Sequence, residues 1–220
     1  MPYLKHNGQM VVSGGSYLTS PSQIIDYDGN IYTTIEIGTQ IWLVENLLTT
    51  SYNNGTSIPN ITDNTLWTNA TSGAYAWYDN DAASYKNVYG ALYNWFAVDD
   101  INALAPTGTR VADKTDWDLL ISFVGGSSIA GGKLKEAGLT HWDSPNSGAT
   151  NEYGFTALPG GYRRGDAGTF ETLGDNGLWW ADFEVTTKAQ RYYMQSAAFT
   201  VQSDAALTKP WGHSVRCILI

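Results

Sequence analysis

The 220 residues carry 12 Lys and Arg against 21 Asp and Glu, a formal net charge of −9, and charged residues make up only 15% of the chain. That balance argues against a nucleic-acid partner, which needs clustered basic residues to displace phosphate counterions, and against an anionic membrane surface. Cys217 is the only cysteine, so there is no intrachain disulfide or cysteine-based zinc site and packing must hold the fold.

The length suits one large domain or a domain with an appendage. No stretch approaches a transmembrane helix, so no membrane insertion is expected, and Met1–Gly8 lacks the basic segment and apolar run of a secretory signal. Abundant Gly, Asn, Ser, Thr and Tyr suit an extracellular or virion surface. Residues 1–22 are expected to form a β-hairpin-like appendage, with turns at Asn7-Gly8 and Gly14-Gly15 between Tyr3-Leu4, Met10-Val11-Val12 and Tyr17-Leu18. Such a piece is too small to fold alone, and an attachment element and a simple terminal hairpin are equal readings of it.

Residues 23–220 form the main domain. After a turn at Asp28-Gly29, Ile31, Thr33, Ile35 and Ile37 alternate with Tyr32, Thr34 and Glu36 as a half-buried strand, and Ile41–Val44 follows as a second. Residues Thr49–Tyr85 are rich in turn formers and are read as loops pinned by Trp67, Tyr75, Trp77 and Tyr78. Leu92, Trp95 and Phe96 suggest a helix over Tyr89–Val98. A second helix starts at an Asp113 N-cap, with Asp116 in its first turn, Trp117, Leu120, Ile121 and Val124 on one face, and Gly125-Gly126 as its stop. A short helical turn is expected at Lys133–Glu136, and short strands beyond it. The stretch Leu178–Cys217 opens on Trp179-Trp180 and closes on Ser214-Val215-Arg216-Cys217. It reads either as a recognition face held at both ends or, for at least one of the two tryptophans, as core.

A longer series of motifs stands in order: Asp28-Gly29-Asn30-Ile31-Tyr32, Trp42 with Glu45-Asn46-Leu47, Tyr89-Gly90-Ala91-Leu92-Tyr93-Asn94-Trp95, and Pro106-Thr107-Gly108 before Asp116-Trp117. Gly131-Gly132-Lys133-Leu134-Lys135, His141-Trp142-Asp143-Ser144-Pro145, Leu158-Pro159-Gly160-Gly161-Tyr162-Arg163, Trp179-Trp180 and Ser214–Cys217 continue it. From about Ile24 to Ile220 the chain resembles the Fibrobacter succinogenes major paralogous domain. The resemblance implies an α+β, C-type-lectin-like fold, with two helices on a twisted antiparallel sheet and a C-terminal hairpin that displays ligand contacts. It also implies kinship with formylglycine-generating enzymes and with the variable proteins of diversity-generating retroelements. Departures from the family pattern gather between Asp175 and His213, which both codon diversification and ordinary drift would produce.

Signals for chemistry are sparse. Cys217, inside an apparent strand, reads as an inert buried thiol. Asp79-Asn80-Asp81 and Ser144-Pro145-Asn146 lack a calcium-lectin signature and read as turns, although a structural calcium stays open; no other cofactor is expected. His6, His141 and His213 are dispersed; His141 reads as structural and His213 as a possible ligand contact. Asp182 and Glu184 could flank a glycosidic bond if strand alternation puts them on one face, against the plainer reading of a solvated acidic face.

The better reading of the last third is a paratope-like patch that mixes rigid rings with adaptable polar groups. Its candidate ligand contacts are Tyr162, Arg163, Arg164, Asp175, Asn176, Trp180, Asp182, Phe183, Glu184, Arg191, Tyr193, Gln195, Trp211 and His213. The expected function is a non-enzymatic receptor-binding protein, a phage tail adhesin with a diversifiable surface that meets a bacterial surface protein or glycan. The alternatives are a bacterial cell-surface or secreted adhesin of the same family and a glycan-acting enzyme. A homo-oligomer is compatible with any of these, because tethered weak sites gain avidity.

Overall fold

The computed structural model describes residues 23–220 and, ahead of them, two short paired strands, β1 (Lys5–His6) and β2 (Gln9–Met10). Lys5 pairs with Met10 and His6 with Gln9, and the expected Asn7-Gly8 turn itself lies outside the described residues. The rest of the expected appendage, including Tyr3-Leu4, Val11-Val12, Gly14-Gly15 and Tyr17-Leu18, lies outside the described residues.

The architecture is α+β: among the described residues, five α-helices lie between several largely antiparallel sheets. Strands β3 (Ile24–Ile25) and β4 (Ile31–Tyr32) form a hairpin whose turn is held by Asp26, which accepts from the Asp28 and Asn30 amides. The predicted strand over Ile31–Ile37 is broken at Thr33, whose amide and hydroxyl are taken by Glu45. Its inward parity changes there, with Tyr32 buried before the break and Ile37 after it. Beyond the break run β5 (Thr34–Ile37) and β6 (Gln40–Leu43).

The loop-rich region is pinned as expected: Trp67, Tyr75, Trp77 and Tyr78 are all buried. It also holds α1 (Asn64–Thr68), β7 (Tyr75–Ala76) and α2 (Ala82–Tyr89). The helix expected over Tyr89–Val98 does not form. Instead the segment is split into the end of α2, then β8 (Leu92–Asn94), then α3 (Trp95–Val98). Gly90 has φ +75, and a Cβ there would stand 2.6 Å from the Leu47 carbonyl, so chain crossing rather than helix is encoded at that position. Asn94 then caps α3 through the Ala97 amide.

After β9 (Thr109–Val111), α4 (Lys114–Phe123) carries the predicted Asp113 cap as a full capping box with Asp116. Helix α5 (Ser127–Leu134) starts earlier than the predicted turn at Lys133. The remaining strands are β10 (Tyr162–Arg163), β11 (Phe170–Glu171), β12 (Asn176–Val185), β13 (Lys188–Gln195), β14 (Gln202–Leu207), β15 (Gly212–Val215) and β16 (Cys217–Leu219).

The largest sheet runs β11-β10-β15-β12-β13-β14, with β8 on β15 and β7 on β8; a second runs β5-β6-β16-β9. Strand β12 pairs antiparallel with β13 and parallel with β15, Trp179 opposite Ser214 and Trp180 opposite Val215. Successive side chains of a strand point to opposite faces, so the adjacent tryptophans enter different cores. Trp179 packs with Trp117 and Phe155, and Trp180 meets Trp95 edge-on with ring centroids 5.3 Å apart. Both rings are fully buried, each with its indole N–H satisfied, Trp179 on Asn46 and Trp180 on the Tyr93 carbonyl. Ser214–Cys217 is the crossing point between the two large sheets. The buried Arg216 guanidinium in its middle donates to Leu43, Phe155 and Thr156 carbonyls and to Asn46 Oδ1.

Candidate functional site

Cross-strand partners point to the same side of an antiparallel pair, and the register here places Leu178 with Tyr193, Trp180 with Arg191, and Asn176 with Gln195. Across β13, Tyr193 faces Gln202 and Arg191 faces Asp204. These residues share one face of the large sheet. Its inner part is roofed by the core around Trp180; its outer part, over Arg191, Tyr193 and Gln195, is only partly covered.

Strands β10 and β15 extend this face. Tyr162 lies 5.5 Å from Trp211 and 6.1 Å from His213 between ring centroids, and the Arg164 guanidinium sits 5.8 Å over Trp211. Glu171 accepts from the Tyr162 hydroxyl at 2.7 Å and lies 3.4 Å from Arg164. Arg191 lies 5.2 Å over the Tyr193 ring and 3.6 Å from Asp204, while the Tyr193 hydroxyl donates to Gln202. The result is a run of half-exposed rings interleaved with guanidinium groups and a few acceptors, the chemistry of an adaptable contact surface.

Beneath it several polar atoms have no partner. Among the described residues, both ring nitrogens of His213, Arg191 Nε and Asn176 Oδ1 are buried without a hydrogen bond here, as are atoms of Trp67, Trp95, Trp117, Asn146 and Thr172 in other parts of the structure. His213 is fully buried against Trp180, centroids 4.4 Å apart, and burial together with Arg191 holds its pKa well below the usual histidine value. Burial also lowers the pKa of Arg191, opposed by Asp204. In a folded protein such groups are met by ordered water or by a ligand.

The sequence-derived contacts separate into three groups. Tyr162, Arg164, Asn176, Arg191, Tyr193, Gln195 and Trp211 are brought together on this face, with Asp175 at its edge, where it accepts from the Ser196 hydroxyl. Trp180, Arg163 and His213 have no surface to offer and shape the site from below. Trp180 is core. Arg163 is a clip, stacked between Trp67 and Phe170 and bonded to the Gly168 and Thr62 carbonyls and Asn64. Asp182, Phe183 and Glu184 lie towards the hairpin end, where a register shift between Ala181 and Glu184 interrupts simple alternation.

Asp182 lines a hollow of about 190 Å³ with Asp100 and Arg110, and partial burial with Asp99 and Asp113 nearby raises its carboxyl pKa. Glu184 is paired with Lys209 at 2.9 Å. Glu171, Gln202 and Asp204 join the face without having been singled out in sequence. The available signal was the unbroken polar run Gln202-Ser203-Asp204.

The other candidate chemistries have structural uses. Cys217 is fully buried and its thiol pKa is raised by that burial. Asp81 caps α2 through the Ser84 amide, and Asp79 and Asn80 take left-handed turn conformations. Asn146 donates to the Glu136 and Gly138 carbonyls, and His141 Nδ1 lies 2.9 Å from Glu136. Among the described residues no group of three or more His, Cys, Asp or Glu side chains is placed to hold a metal, and no helix is long and apolar enough to cross a membrane.

The model of the Fibrobacter succinogenes major domain matches residues 35–219. The chain belongs to this family. The family's span takes in both large sheets and the whole face described above. No curated protein and no solved structure matches the chain.

Proposed function

We propose that this member of the family is a non-enzymatic binding protein of C-type-lectin-like fold. Its recognition surface is the outer face of β12–β14 with Tyr162, Arg164 and Trp211. The observation that carries the reading is the half-exposed layer of Tyr162, Tyr193 and Trp211 interleaved with the guanidinium groups of Arg164 and Arg191 on one sheet face. Aromatic and arginine side chains are the types that dominate interface energies. The partner is a protein or glycan of a bacterial surface, and the setting is a phage tail adhesin whose C-terminal segment is diversified, or a bacterial surface or secreted adhesin of the same family. A template repeat with a reverse transcriptase beside the gene would mark diversification, and tail genes a virion.

The test replaces Tyr193 and Trp211 with alanine and measures adhesion to bacterial cells together with the melting temperature. Lost adhesion at a nearly unchanged melting temperature is expected. Undiminished adhesion by the folded double variant, or turnover of surface glycans by the purified chain, would overturn the reading.

A further inference from the structure

A second site lies away from the display face, in a cavity of about 360 Å³ between the segment after β6 and helix α2. Its walls include Leu48, Val88 and Leu158, and Asn46, His141 and Arg216 bring polar groups to it. The volume is in the range of small-molecule sites, which combine apolar walls with a few fixed polar groups.

The chemistry at the base is unusual. Arg216 is 1% exposed, yet all its acceptors are neutral: three backbone carbonyls and the Asn46 amide oxygen. Among the described residues it makes no ion pair, although buried charges are ordinarily matched by an opposite one. A guanidinium carries five N–H donors. Nε and both Nη1 protons are taken, and Nη2 gives one to Thr156 at 3.0 Å. The fifth, on Nη2, has no acceptor among the described residues.

Two carboxylates bear on the cavity, both engaged: Glu45 lines it and its charge acts on Arg216 while its oxygens accept from the Thr33 amide and hydroxyl, and Glu136, outside the lining, accepts from His141. Their charge disfavours a dianion such as phosphate. A group with one negative charge and an apolar body fits the remaining demands.

We propose that this cavity is a binding site for a small organic monocarboxylate, whose carboxylate meets the free N–H of Arg216 and whose hydrocarbon part lies against Leu48, Val88 and Leu158. The site is independent of the display face. Replacing Arg216 removes four structural hydrogen bonds, so the informative variant is Val88→Trp, which fills the cavity from a partly exposed position on α2.

The experiment is calorimetry and a ¹H–¹⁵N NMR titration of the full chain with cyclohexanecarboxylate and, separately, cyclohexanecarboxamide. Saturable binding of the carboxylate is expected, with shifts at Asn46 and His141. The amide should bind at least about tenfold more weakly, and Val88→Trp should lose binding while keeping its melting temperature. Absence of saturable carboxylate binding, equal affinity for the amide, or binding undiminished in folded Val88→Trp would each overturn the proposal. None of these outcomes bears on adhesion by the Tyr193 and Trp211 face.

Discussion

Single side chains divide sharply into those that hold the fold and those available to a partner. Trp180→Ala removes a buried ring from the Trp95 core and leaves the Tyr93 carbonyl without its indole donor. It should cost about 3–5 kcal/mol in denaturant titration, whereas Tyr193→Ala, on the half-covered face, should stay within about 1 kcal/mol. His213 predicts a pH dependence. Its folded pKa lies below the ordinary 6.5, so the unfolded chain takes up a proton that the folded chain refuses. Stability should therefore fall as pH drops through about 6.5, with a slope approaching 1.4 kcal/mol per pH unit from this residue. His213→Phe should flatten the slope between about pH 6.5 and 5, and an unchanged slope would place the linked proton elsewhere. Asp182 has the opposite sign for a carboxylate: its raised folded pKa penalises the ionised native state at neutral pH. Asp182→Asn should raise the melting temperature at pH 7 and lose that advantage once the pH is low enough to protonate both states.

Among the elements, α5 depends on the absence of side chains. A Cβ on Gly131 would come within 2.3 Å of the Thr200 carbonyl oxygen, and one on Gly132 within 2.6 Å of that of Gly148. Gly132→Ala should therefore destabilise strongly despite alanine's better helix propensity, and a neutral or stabilising result in thermal unfolding would refute the close backbone packing. Lys135 at the end of this helix donates to the Gln195, Ser196 and Ala198 carbonyls and is lowered by burial to about 8. The Gly131–Lys135 motif is thus the backbone seat of the loop between β13 and β14. Helix α4 was legible because cap, apolar spacing and stop agree locally. The false helix over Tyr89–Val98 shows the limit of that reading. Its apolar spacing is real, but Gly90 answers to Leu47 and Asn94 to Ala74, contacts set by distant chain.

At the scale of the molecule, the ordered motifs found in sequence become a single network. Asn46 Oδ1 accepts from both Trp179 and Arg216, its amide donates to the Tyr89 carbonyl, and Arg216 reaches Leu43 and Phe155. Asn46→Ala leaves an indole and a buried guanidinium short of an acceptor and should lower stability by about 2–3 kcal/mol, measured as a loss in the chemical denaturation midpoint. The α+β class and the family were legible because these motifs are contiguous in sequence. The membership of the face was only partly so. Which of Trp179 and Trp180 enters which core, and that His213 lies beneath rather than on the surface, depends on strand register, and a one-residue slip would exchange the two sides.

The parallel pairing of Trp179-Trp180 with Ser214-Val215 has one more consequence. The segment between these anchor points starts and ends side by side; its inner row, Ala189, Tyr192, Met194 and Leu207, stays in the core, while its outer row and the Val185–Lys188 bend face outward. That stretch behaves as a cassette with fixed ends, in which insertions and deletions near the Val185–Lys188 bend change reach and outline while the splice points stay in place.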